Sequence, residues 1–314
     1  MSSSTDSLRA PRPLRKGDVI RVVAPSSPFD PAGLEAGLEV LRGWGFEPRH
    51  RDDLFERRHY FAGSARRRAA ELHEAFEDDD AAAILAVRGG YGVATVLPLL
   101  DPAAMRTPKL ICGCSDLTAL LSWCVQEAGV RALHGPMVVG LGRGNDDAGA
   151  ERLRTLLTST DKPEGLRSAF EDPLQWCVSP GVARGRAVGG SLSILASLCG
   201  TPWQVRTDDA VVFLEDVGER PYRIDRLLLQ LAQAGTFENA RAVVLGDFTG
   251  CDEPGGAVTW RDAVTRVFRE LAIPVMAGVP FGHGSPNLAF PVGVQVQVDA
   301  NEGTVTFREA LLAD

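Results

Sequence analysis

The residues best placed for chemistry are Gly113-Cys114-Ser115-Asp116-Leu117-Thr118. They follow a short apolar run at 109–112 and open a stretch of helical spacing at 116–128. A serine at a strand–turn–helix junction is held out at the carboxyl edge of a sheet, the geometry of a nucleophile elbow. Gly113, two positions earlier, gives the turn room. The amide of Asp116, at the start of the helix, can point toward a developing oxyanion. The same pattern also reads as a plain helix cap, a place serine often fills, and it lacks the second glycine of G-x-S-x-G. Arg88-Gly89-Gly90-Tyr91-Gly92 leaves another apolar run, 82–87, at its carboxyl end. Ligands of open α/β sheets gather at that edge, and glycine lets backbone come close to a substrate. A second oxyanion donor can therefore come from Gly89-Gly90, where a tight turn is the plainer account. Neither this segment nor Gly140-Leu141-Gly142-Arg143-Gly144 carries the spacing of a dinucleotide fingerprint.

A serine nucleophile needs a base, most often histidine. Of the five histidines, His50, His59 and His73 lie in polar or helical stretches, and His134 stands before Gly135-Pro136 as a structural or site-lining residue. His283 sits in Phe281-Gly282-His283-Gly284-Ser285-Pro286-Asn287, a loop with no periodicity to account for it. The base in turn needs an orienting carboxylate. Glu215, Asp216 and Glu219 all follow the apolar run 211–214, and residue types alone do not choose among them.

The elements that must position these groups alternate in the first half of the chain. Residues 18–24, 82–87 and 109–112 read as strands buried on both faces. Residues 31–44, 65–76, 94–100 and 116–128 read as helices. Repeated strand–helix units imply a parallel sheet with flanking helices. Residues 145–182 are richer in polar residues, Pro and Gly. The second half has strand-like runs at 185–188, 210–214, 242–245 and 292–298, with helices at 223–232 and 262–271. In the last run Val292, Val294, Val296 and Val298 alternate as in a half-buried antiparallel strand. The expected organisation is a disordered leader at 1–13, an N-terminal α/β domain at 14–150, a linker region at 151–182 and a smaller strand-rich domain at 183–314.

Composition excludes several classes. The chain has 314 residues, 45% hydrophobic and 24% charged, with a formal net charge of -8 from 33 Lys+Arg against 41 Asp+Glu. Such a balance argues against nucleic-acid binding, which needs a clustered cationic face. Arg66-Arg67-Arg68 is answered by Glu71 and Glu74 on the same helical stretch. The six cysteines lie mostly in apolar stretches without a C-x-x-C pair and read as reduced, buried thiols. The N-terminus has no apolar core of a signal peptide. Val188 to Trp203, the most apolar region, is too short and broken to span a bilayer. Cytoplasm is the expected location.

Taken in order, these segments resemble the LD-carboxypeptidase family, the S66 class of serine peptidases. The resemblance rests on Gly17-Asp18 through Ala24-Pro25-Ser26-Ser27, Arg88-Gly89-Gly90-Tyr91-Gly92, Gly113-Cys114-Ser115-Asp116 and His134-Gly135-Pro136. It continues through Gly189-Gly190-Ser191-Leu192 to Gly200-Thr201-Pro202, Leu214-Glu215-Asp216, Pro221-Tyr222-Arg223-Ile224-Asp225-Arg226, Gly246-Asp247-Phe248, and Gly278 to His283-Gly284. It runs from about residue 14 to 305. The resemblance implies a flavodoxin-like N-terminal domain, a smaller barrel-like α/β C-terminal domain, and a homodimer. It implies a triad of Ser115, Glu215 and His283, with an oxyanion hole of backbone amides at Gly90 and Asp116, and neither metal nor organic cofactor. The implied substrate is a small peptide or muropeptide, the murein tetrapeptide that loses its terminal D-alanine in cell-wall recycling. A microcin-immunity branch of the family is the alternative. It looks like the same triad acting on a peptidyl or aminoacyl nucleotide analogue, and would want an aromatic platform such as Trp176 or Trp203. A non-catalytic binding module on the same fold is the alternative from another class.

Overall fold

The computed structural model describes residues 8–314. Its strands are β1 (Val19–Val23), β2 (Glu47–Arg49), β3 (Ala81–Ala86), β4 (Leu110–Gly113), β5 (Ala132–His134), β6 (Leu166–Arg167), β7 (Cys177–Ser179), β8 (Val182–Ser191), β9 (Ala210–Val217), β10 (Ala242–Thr249), β11 (Val275–Met276), β12 (Phe290–Val292), β13 (Gln295–Asp299) and β14 (Thr304–Phe307). The helices are α1 (Pro31–Gly43), α2 (Ala65–Glu77), α3 (Thr118–Gln126), α4 (Val138–Gly142), α5 (Asp147–Thr158), α6 (Pro173–Trp176), α7 (Leu192–Leu198), α8 (Pro221–Gln233) and α9 (Trp260–Phe268).

The first sheet has the order β12-β5-β4-β3-β1-β2. Its strands β1 to β5 pair in parallel. Every residue of β3 and β4 is buried, as their uninterrupted apolar runs require. The flanking helices start where caps say they should. The Asp30 carboxylate accepts from the amides of Ala32 and Gly33 ahead of Pro31, and Ser64 accepts from Arg67. The order 2-1-3-4-5 is the doubly wound, flavodoxin-like one, and it puts the carboxyl ends of β1, β3 and β4 side by side at the point where the winding reverses.

The second sheet has the order β6-β14-β13-β8-β9-β10-β11-β7. Strands β8, β9, β10 and β11 run parallel, with antiparallel strands on both sides. Helices α7, α8 and α9 cover one face around a core that includes Leu195, Leu228 and Phe268. Residues 151–182, read as a linker, complete α5 and supply β6 and β7, the two edges of this sheet. Of the leader read over 1–13, residues 1–7 lie outside the described residues. From Leu8 onward the chain is held. Arg9 donates from its side chain to the carbonyls of Met105, Arg106 and Ala128.

Two local expectations are corrected. Residues 94–100 are not an α-helix but two short 3-10 turns, Val93–Thr95 and Leu97–Leu99. Pro98 removes an amide and disfavours helical backbone at Leu97. Residues 292–298 are not one strand. The chain breaks at Gly293, whose φ is 95°. Before it, β12 pairs antiparallel with β5 in the first sheet, and after it β13 pairs with β8 and β14 in the second. Val292, Val294, Val296 and Val298 are all buried, so the alternation is real but serves two sheets. Among the described residues no helix is long and apolar enough to cross a membrane.

Candidate active site

Three loops meet at the carboxyl edge of the first sheet. After β4 the backbone of Ser115 turns into the left-handed region, φ 60°, and enters a 3-10 turn that leads into α3. A residue with a Cβ pays about 1–3 kcal/mol for that conformation. The turn fits because its neighbours are glycines. A Cβ on Gly113 would stand 2.7 Å from Leu117 Cγ, and one on Gly89 would stand 2.8 Å from Ser115 Cβ. The Asp116 carboxylate faces inward, where it accepts from the Ser26 hydroxyl at 2.6 Å and the Val93 amide at 2.9 Å. Ser27 accepts from the Tyr91 amide at 3.1 Å. Buried Arg68 donates to the carbonyls of Pro25 and Gly92. The loop after β1, the Gly-rich loop after β3 and the turn at Ser115 are thus laced together. Gly89 lies against this turn, 3.4 Å separating its would-be Cβ from the Asp116 nitrogen.

Glu215 comes from the other sheet, and His283 from the loop between β11 and β12. Glu215 is near the end of β9, opposite Ser191 of β8, and is fully buried. The Nδ1 of His283 and the Oε2 of Glu215 are 2.6 Å apart, so the imidazole N–H donates to the carboxylate. Glycine again permits the approach. A Cβ on Gly282, φ 119°, would lie 2.6 Å from Glu215 Oε2. The loop is tied down at several points. The Gly282 amide donates to the Asn287 side chain, the Asn287 amide donates to Asp146, and the Ser285 hydroxyl donates to the Asn145 carbonyl.

Residue types left three carboxylates open and the resemblance named Glu215; geometry separates them. Asp216 faces away, accepting from the amides of Ser193 at 2.7 Å and Val217 at 2.8 Å. Glu219 pairs with Arg223 one helical turn on. Only Glu215 of the three meets His283. Burial is the largest influence on Glu215 and by itself disfavours the anion. The two histidines facing its oxygens, His134 and His283, outweigh it and hold the carboxyl below the ordinary glutamate range. For His283 burial likewise opposes the cation, but the Glu215 carboxylate, with Asp216 and Asp247, raises its pKa above the ordinary value. Asp247 is itself pushed up to about 6 by burial and by the charge of Glu215.

Ser115, His283, Gly89 and Gly90 line one cleft of about 960 Å³. Glu215 lies behind His283 rather than on its wall. The cleft is also lined by Gly140, Leu141, Arg143 and Gly144, from a segment that sequence reading set aside, and by Met137. Their signal was position. They follow β5 at the same carboxyl edge that carries Ser115. Two arginines, Arg88 and Arg143, line the cleft, and neither has a carboxylate partner among the described residues. Trp176 and Trp203 are not part of its lining.

A parallel sheet with a left-handed serine at its edge, sharing a cleft with a loop histidine bonded to a glutamate of a second sheet, defines a recognisable class. A sequence model of the LD-carboxypeptidase N-terminal domain matches residues 20–135, and one of the LD-carboxypeptidase C-terminal domain matches residues 184–298. The chain belongs to the LD-carboxypeptidase family. It is 36% identical to a provisionally named carboxypeptidase of Synechocystis sp., over 98% of this chain and 100% of that one. It is 32% identical to the murein tetrapeptide carboxypeptidase of Pseudomonas aeruginosa, over 90% of this chain and 93% of the relative. In fold it is similar to the solved structure of MccF in complex with glutamyl sulfamoyl guanosine, with a TM-score of 0.86 at 24% identity, covering 97% of this chain and 99% of that one.

Proposed function

We propose that this protein is a serine carboxypeptidase that cleaves the L,D-peptide bond releasing terminal D-alanine from murein tetrapeptide. The observation that carries the reading is the 2.6 Å bond between His283 Nδ1 and Glu215, with His283 sharing a cleft with left-handed Ser115. That bond fixes the tautomer in which Nε2 is free to accept a proton. His283 takes the Ser115 proton as Oγ attacks the scissile carbonyl, and Glu215 stabilises the imidazolium that forms. The amides of Gly90 and Asp116 receive the oxyanion. The C–N bond breaks as His283 returns its proton to the leaving D-alanine amine. Water then attacks the acyl-serine with the same histidine as base, and the shortened peptide departs.

The carboxylate that marks the end of the substrate needs a cation. Arg88 is the better placed of the two in the cleft, since its guanidinium lies over Gly90, 3.6 Å from where a Cβ would stand. The relative in Pseudomonas aeruginosa is named for murein tetrapeptide, which favours that substrate. The position of Trp176 and Trp203 away from the cleft weighs against a purine platform built from them. A cytoplasmic location and a homodimer belong to the same reading. Six free thiols suit a reducing compartment, and solution mass tests the dimer.

The test is D-alanine release from a murein tetrapeptide, followed by mass spectrometry, with Ser115→Ala alongside. Release by wild type alone is expected. Equal release by Ser115→Ala overturns the mechanism. Silence from both redirects the substrate to an aminoacyl sulfamoyl nucleoside, and silence there too leaves a binding module.

A further inference from the structure

His134 is the last residue of β5, fully buried, on the nucleophile's sheet. Its ring stacks on Phe290 at 4.8 Å and meets Phe281 edge-on at 6.0 Å. An apolar side chain would fill such a box at lower cost, because an imidazole carries two polar nitrogens that need partners. Neither ring nitrogen has a hydrogen-bond partner among the described residues, nor does Oε1 of Glu215. These orphans face each other. His134 Nε2 stands 3.8 Å from Glu215 Oε1. Two unsatisfied groups of complementary type, both fully buried, are a rare coincidence in a packed interior.

From this juxtaposition we propose that His134 is a positioning residue for the reaction, acting through Glu215: its Nε2–H is the donor for the carboxylate oxygen that His283 does not use. The inference rests on the reading of Glu215 as the partner of the base. At 3.8 Å the contact is longer than a hydrogen bond. A shift of about 1 Å closes it, the kind of tightening that catalytic hydrogen bonds undergo when substrate binds. The carboxylate is then held from both sides, by the loop that carries the base and by the sheet that carries Ser115. His134 touches neither substrate nor the reacting atoms.

The sign of its effect follows from charge. A donor on Oε1 stabilises the anionic state of the Glu215–His283 pair, so losing it makes the pair easier to protonate. Other titratable groups around the pair are Asp216 on β9, Asp247 on β10 and the Cys114 thiol after β4. All stay in place in the variants.

The experiment compares wild type with His134→Gln, His134→Met, His134→Asn and Glu215→Gln. Gln presents its amide where Nε2 lies, Asn where Nδ1 lies, and Met fills space without a donor. Each is assayed for kcat and KM across pH on murein tetrapeptide. In parallel, the His283 titration is followed by NMR of 15N-histidine-labelled protein, which needs no substrate. Met and Asn are expected to lower kcat about ten-fold or more with KM little changed, and to move the acid limb and the His283 titration up by about one pH unit. Gln is expected to stay near wild type. If Met does not fold, the Gln and Asn pair carries the test. Equal behaviour of Gln, Met and Asn, with no change in the titration, overturns the proposal. If Glu215→Gln also leaves the His283 titration unmoved, the reading of Glu215 itself fails. If Glu215→Gln moves it and the His134 variants do not, only the role of His134 fails.

Discussion

Ser115 holds a backbone conformation that Gly adopts freely and Ser does not. The strain is a measurable cost of the site. Ser115→Gly is expected to abolish D-alanine release and yet stabilise the fold by about 1 kcal/mol relative to Ser115→Ala, read as a higher melting temperature in calorimetry. The reverse defect comes from its neighbour. Gly89→Ala drives a methyl group against Ser115 and is expected to cut kcat sharply while the protein stays folded. The pH dependence follows from His283, whose pKa is raised by Glu215. If it is the base, as proposed, it must be neutral, so activity is expected to fall on acidification through a pKa above the ordinary value of about 6.5. Glu215→Gln removes the anion and leaves burial, which lowers the pKa, so the acid limb moves to lower pH in whatever activity remains. Ser115 stands out in the sequence at a strand–helix junction and His283 in a loop without periodicity, but residue types alone leave a helix cap and a plain loop histidine open, and it is the family resemblance that names them as a pair. Glu215 was not separable from Asp216, because adjacent strand residues point to opposite faces and only the three-dimensional placement of His283 says which face matters.

At the scale of elements, the motif loops after β1, β3 and β4 converge because parallel strands put their carboxyl ends on one edge. The strands themselves were legible from short apolar runs and helices α1 and α2 from their spacing, while the caps at Asp30 and Ser64 emerge only in the structure. The break at Gly293 was not, since period-2 alternation continues unchanged across a corner between two sheets. Gly293→Val combines a forbidden φ with a Cβ that would come within 2.7 Å of Leu8 Cδ1. It is expected to destabilise the protein by about 1–3 kcal/mol, visible as a lower urea midpoint. Asp146 serves two elements at once, as N-cap of α5 and as acceptor for the Asn287 amide in the loop of His283. Asp146→Ala is expected to cost about 1 kcal/mol as a lost cap and, unlike an ordinary cap, also to lower kcat.

For the whole molecule, the cleft gathers Ser115 from one sheet and His283 from a loop beside the other. Its size and its wall at 140–144 depend on pairings distant in sequence, which no local pattern encodes. Arg88→Ala is expected to raise KM roughly ten-fold or more with kcat less affected, the signature of a lost carboxylate anchor. Arg143→Ala is the matched control, with a smaller effect. The strand β12 gives this architecture a consequence in time. A chain made from its N-terminus onward delivers β1 to β5 early. The edge of that sheet beside β5 then stays unpaired until residues 290–292 emerge, and Phe290, which stacks on His134, arrives with them. The first sheet therefore closes only after His283 has already left the ribosome. Ser115, His283 and the strand that seals them are completed together, so under the proposed mechanism a half-made chain holds a serine with nothing to activate it.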